Sequence, residues 1–164
     1  MVRHDKPRLG ELLDIAPELA VIGAGVAGLI VWELVARVVA PLWIGEPLEA
    51  AALVRLAFGI HSPALAMTIH GVIGVVLFPV GYVVAKRLVG ARIPCWASGA
   101  AYGVALWAIA MVVVVHELAG LPAFLDWQPV AWMSLVGHVA YGMTMSSTLA
   151  WLRGATAPTP SPVE

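Results

Sequence analysis

Cysteine is all but missing from this sequence. Cys95 is the single one, which excludes an internal disulfide and any cysteine-rich zinc or iron–sulfur site. Charge is scarce too: Asp, Glu, Lys and Arg make up 12% of the 164 residues, against about 25% in a soluble domain. With a net charge of -1 and no stripe of basic residues, nucleic acid is excluded as a partner. Near the N-terminus there is no short apolar core followed by a small-residue cleavage site, so no removable signal peptide is expected. Alternation of strand and helix patterns is missing as well.

What is abundant is apolar. Hydrophobic residues are 61% of the chain and the mean hydropathy is +0.92, the composition of a membrane protein. Four stretches, at about 19–40, 64–85, 95–116 and 130–152, are long enough to cross a bilayer as helices, which takes roughly 20 residues. Pro79 interrupts the second, and a membrane helix tolerates proline where neighbours satisfy the freed carbonyl.

Orientation follows from the basic residues. Arg3, Lys6, Arg8, Lys86, Arg87, Arg92 and Arg153 fall on one side, and only Arg37 and Arg55 on the other. The positive-inside rule then places both termini in the cytoplasm. Trp96 and Trp151 fall at the inner boundary, and Trp43, Trp127 and Trp132 at the outer one, as an aromatic belt requires. The expected domains are a cytoplasmic segment, 1–18, a transmembrane domain, 19–152, and a disordered cytoplasmic tail, 153–164.

The string VIGAGVAGL at 21–29 matches the glycine fingerprint of a dinucleotide-binding fold, with Glu46 near the ribose-binding position. Such a unit needs a preceding strand and a parallel sheet, and neither pattern follows. The same residues make small-xxx-small pairs, Gly23 with Ala27 and Ala24 with Gly28, which let membrane helices approach closely. Gly99 and Gly103 repeat the device. The string reads as a packing surface.

Among the connections, the short basic link of 86–94 predicts that spans two and three are antiparallel neighbours. Residues 47–60 read as a helix in the outer interface or over the bundle mouth. The second outer link, LAGLPAFLDWQP, is apolar for a loop and is expected to dip into the headgroup region.

Ionisable groups inside spans are costly and are functional candidates by default. Glu33, His70 and His138 each fall roughly 10–13 Å below the outer boundary at helical rise, with His116 and Glu117 at the boundary itself. Arg37 lies one turn from Glu33 and can pair with it. Three readings of the histidines stay open. Each imidazole can simply bond a neighbouring helix. Glu33, His70, His116 and His138 can form a transition-metal or proton site, since imidazole and carboxylate suit zinc, iron or copper. His70 and His138 can ligate a haem b between helices, where Gly71, Gly74 and Gly137 leave room. Ser134, Thr144, Ser146, Ser147 and Thr148 are expected to bond their own helix or a neighbour. Met67, Met111, Met133, Met143 and Met145 read as packing residues.

Residues 68–82, TIHGVIGVVLFPVGY, and 115–138, VHELAGLPAFLDWQPVAWMSLVGH, resemble the bacterial YagU-type inner-membrane proteins. The likeness runs through His70, His116, Asp126 and Gly137-His138. It implies an inner-membrane location and, from one branch, a link to acid tolerance; it supplies no mechanism.

The expected architecture is an all-α integral membrane protein. It is a bundle of four transmembrane helices with an interfacial outer helix and both termini inside. The expected function is a small, non-catalytic inner-membrane protein whose His/Glu cluster serves packing, proton response or metal. The alternative is a haem b- or metal-binding accessory subunit of a membrane redox complex. The lipid bilayer is the first partner, with a homo-oligomer or larger membrane complex as a further one.

Overall fold

The computed structural model describes residues 17–89 and 93–155. Most of the expected cytoplasmic segment and tail, and Arg92 of the basic link, lie outside the described residues. Within them the chain is all helix and turn. Helix α1 comprises Pro17–Leu34, a π-helical stretch Val35–Val39 and a last α-turn Ala40–Ile44. Helix α2 is Ala50–Phe58; α3 is Pro63–Val72, a π-helical stretch Ile73–Leu77, and Phe78–Val89. Helix α4 runs Cys95–Ile109 and on through a π-helical stretch Ala110–Leu118, and α5 is Pro129–Ala155. Each apolar stretch expected to span is therefore helical, and each helix outruns its expected bounds.

Helices α1, α3 and α4 are long and apolar enough to cross a membrane. Helix α5, at 27 residues, matches them in length but carries serine, threonine, histidine and tyrosine along its middle. Packing explains the difference. Helix α5 lies between α1 and α4 and makes the bundle's most extensive contacts with both, so several of its polar side chains meet protein, although Ser147 stays exposed. Ser134, Tyr141 and Ser146 are buried. The outer faces of the other helices expose Leu19, Ile30, Leu77, Val84 and Ile109, an apolar surface of the kind lipid covers.

Glycines set the close approaches. A Cβ on Gly103 would overlap the His138 carbonyl, and one on Gly99 or Gly142 would strike the facing glycine's backbone. The Gly99/Gly103 pair thus seats α4 directly against α5. In VIGAGVAGL, Gly28 leaves room for the Tyr141 ring, and Gly25 lies against the Val75 carbonyl of α3. Every part of that string that is buried packs a helix.

Two prolines shape the backbone. In α1 and α3 a π-helical stretch ends two residues before a proline, Pro41 and Pro79 respectively. Proline has no amide and crowds the carbonyl four residues back, and widening the turn relieves that. The register shift frees other carbonyls. The Ala40 amide bonds Val35 and the Phe78 amide bonds Ile73, so the carbonyls of Ala36 and Gly74 lose their helical donors. The Leu48 amide takes the first at 3.0 Å, and the Tyr141 hydroxyl donates to the second at 2.6 Å.

Spans two and three are antiparallel neighbours, as expected, but over only part of their length. They meet only toward the basic link, where the hydroxyls of Tyr82 and Ser98 bond at 2.7 Å and Lys86 donates to Ser98 and to the Ile93 carbonyl. Tyr102 donates to the Phe78 carbonyl at 2.9 Å. Beyond that point α3 leans on α1 while α4 leans on α5. A short link fixes antiparallel direction, yet glycine-lined seams on other helices decide which surfaces touch.

Candidate functional site

The space left between α3 and α4 is a cavity of about 400 Å³. That volume falls in the usual range of small-molecule pockets, roughly 300–1,000 Å³. Leu29 and Trp32 of α1 form its back, Ile73 and Gly74 of α3 one side, and Ala110 and Met111 of α4 the other. Both flanking walls are thus π-helical stretches, a feature frequent at functional sites. Leu77 and Ile109 also line it, yet they are 60% and 56% exposed. They flank a mouth that opens sideways, through the apolar surface of the bundle.

At the end nearest α2, the cavity is covered by Leu53 and Val54 of that helix and by Leu121 and Leu125 of the second link. This link, expected from its apolar sequence to dip into the headgroup region, contains a turn that the sequence does not announce. In the turn Ala123–Trp127, Phe124, Leu125, Asp126 and Trp127 all have φ between 51° and 59°, a left-handed turn with no glycine. Left-handed backbone costs roughly 1–2 kcal/mol per ordinary residue. Aromatic packing holds it: the Phe124 and Trp127 rings stack with centroids 4.7 Å apart, and Trp107 lies 5.2 Å from Phe124.

Few polar groups reach the cavity: Glu49, His70, Ser134, His138 and Tyr141. Trp32 organises the histidines, with its ring centroid 5.2 Å from that of His70 and 6.3 Å from that of His138. The Nδ1 of His138 lies 2.8 Å from the Ser134 carbonyl. A carbonyl only accepts, so Nδ1 carries the proton, and in the neutral ring Nε2 keeps the lone pair. The Nε2 of His70 is buried and has no hydrogen-bond partner among the described residues. Its nearest acid is Glu33, whose Oε1 stands 3.6 Å away, beyond hydrogen-bond length.

Glu33 itself is engaged by Arg37, which donates at 2.5 Å from Nε. Both border a second, polar hollow of about 200 Å³ that includes Glu49 and Arg55. Glu33 and His70 therefore stand at the wall between a polar hollow and an apolar cavity.

The four metal candidates are only partly brought together. Glu33 and His70 are neighbours, and His138 shares Trp32 with His70. His116 is exposed at the end of α4, bonded through Nδ1 to the Leu121 carbonyl at 3.0 Å, and is absent from the cavity wall. Among the described residues no three His, Cys, Asp or Glu side chains gather to hold a metal ion. Trp32, Glu49 and Tyr141 were not singled out from sequence. A tryptophan or tyrosine mid-span, away from the aromatic belts, is the signal that marks Trp32 and Tyr141.

A family model matches residues 15–159, nearly the whole chain. The chain belongs to DUF6789, a family of unknown function. For this DUF6789 protein no curated protein and no solved structure matches. The family match lends nothing to the YagU-type likeness or to acid tolerance.

Proposed function

We propose that this DUF6789 chain is a small, non-catalytic inner-membrane protein that holds a lipid-soluble small molecule inside its bundle. In this reading α5 also crosses the bilayer, giving four spans with both termini in the cytoplasm and the α2 end outside. Its 27 residues rise about 40 Å as a helix, more than the ~30 Å hydrocarbon core. The other helices cover its Ser134, Tyr141 and Ser146 side chains. The basic residues at the opposite end support the orientation.

One observation carries the binding role: an apolar cavity of about 400 Å³ lined in part by the exposed Leu77 and Ile109, so that it opens through the apolar surface of the bundle. Such a mouth admits ligands dissolved in the membrane without passage through water. Native mass spectrometry of the detergent-purified chain tests it. A retained small molecule that Ala110→Trp displaces is the expected result; wild type and variant of bare polypeptide mass overturn the reading.

A second reading is haem b, favoured by the His138 tautomer, which leaves Nε2 a ligand nitrogen as haem-binding histidines require. A Soret band lost in both His70→Ala and His138→Ala supports it. Colourless protein purified from haem-supplemented cells removes it.

A further inference from the structure

Resting on the cavity reading, we infer the ligand's chemical class: a neutral lipid whose head carries a carbonyl or hydroxyl and whose apolar tail leaves between α3 and α4, the chemistry of an isoprenoid quinone or alcohol. The charge distribution excludes an anionic head. No lysine or arginine lines the cavity among the described residues, and two carboxylates stand at or beside its wall, Glu49 and Glu33. The nearest guanidinium, Arg37, borders the other hollow and is committed to Glu33. A carboxylate or phosphate there would be desolvated beside like charge, which strongly disfavours it.

A wholly apolar ligand leaves a different cost unaddressed. The buried Nε2 of His70 has no hydrogen-bond partner among the described residues, and an unmet buried polar group is unfavourable. A head-group carbonyl accepts from Nε2 of His70 when that nitrogen carries the proton. A head-group hydroxyl can donate instead to the lone pair on Nε2 of His138. Both imidazoles pack on the Trp32 ring, which offers a flat face to an unsaturated head. The exposed Leu77 and Ile109 at the mouth are where the tail passes into the bilayer.

Saturable binding of a tritiated short-chain ubiquinone analogue to the detergent-purified chain, competed by farnesol, palmitate and hexadecane, tests this. The analogue is expected to bind and farnesol to compete, with palmitate at least tenfold weaker. His70→Ala should weaken the analogue about tenfold and leave hexadecane competition unchanged. His70→Gln, which keeps an N–H donor at similar reach, should recover part of the loss and guards against a folding defect. If palmitate competes as well as the analogue, or if both His70 variants bind like wild type while Ala110→Trp abolishes binding, the head-group inference falls and the cavity reading stands. If none of the four compounds binds saturably, the cavity reading falls and the inference with it.

Discussion

The hydroxyl of Tyr141 on α5 donates to the carbonyl of Gly74 on α3 at 2.6 Å, closing across the back of the cavity. That carbonyl is available because the π-helical stretch before Pro79 moved its own amide partner one residue back. Tyr141→Phe keeps the ring against Gly28 and strands the carbonyl. A loss of about 1 kcal/mol is expected, in the range of membrane interhelical hydrogen bonds and buried unmet groups. A lowered midpoint of thermal unfolding in detergent shows it; an unchanged midpoint means the carbonyl is satisfied elsewhere.

The α4–α5 seam should be the least tolerant of added bulk. Gly103→Leu drives a side chain into the His138 backbone and should cost upward of about 3 kcal/mol, leaving little folded protein by size-exclusion chromatography. Gly71→Ala is the control, since nothing stands within 4 Å of its Cβ position. It should be neutral or stabilise by up to about 1 kcal/mol through helix propensity.

At Asp126, φ is 53° and the side chain is exposed. Asp126→Gly should be neutral or stabilising by about 0.5 kcal/mol, because glycine adopts this backbone freely and no packing is lost. Asp126→Val should cost about 1–2 kcal/mol, as a β-branched residue resists left-handed backbone. Equal unfolding midpoints for the two variants would show that the turn is not left-handed in the bilayer.

Orientation is open to labelling. With Cys95 replaced by serine, a cysteine at Glu46 or Asp126, both exposed at the α2 end, should react in intact cells with a membrane-impermeant maleimide. A cysteine at Arg153 should react only after lysis. Labelling of Arg153 from outside would reverse the topology.

A Glu33→Gln exchange should change stability little. Arg37 is 56% exposed and lines the polar hollow near the outer end of α1, from which a long basic side chain reaches interfacial water. A pair so placed contributes about 0–1 kcal/mol. A larger loss, read from unfolding midpoints, would mean that Glu33 holds more than Arg37.

Much of the architecture was legible because lipid imposes it. A helix is the simplest way to satisfy backbone groups without water, so apolar run length alone located the helices that α1, α3 and α4 became. The small-residue spacing of Gly99 and Gly103 gave away a helix seam. Glu33 and Arg37 paired as their spacing on one helix requires. The neighbourhood of Glu33 and His70 was half legible, since their similar distance from the helix ends is readable while azimuth around the bundle is not.

The left-handed turn at Phe124–Trp127 carries no glycine to announce it, and the stacking that holds it exists only after Trp107 has been brought alongside. For the same reason the separation of α3 from α4 was hidden. The short link joining them implied contact, whereas the shape of the other seams pulled them apart.

By itself, then, the sequence determined the apolar runs, the helices they form and the position of each polar group along them, since these depend on local composition and on 1.5 Å of rise per residue. Only the tertiary structure decided that α5 is the shielded helix, that the carbonyls freed near Pro41 and Pro79 find partners in Leu48 and Tyr141, and that a cavity stands beside His70. Those outcomes depend on which faces of different helices meet, and that is a property of three-dimensional packing that spacing along one chain does not encode.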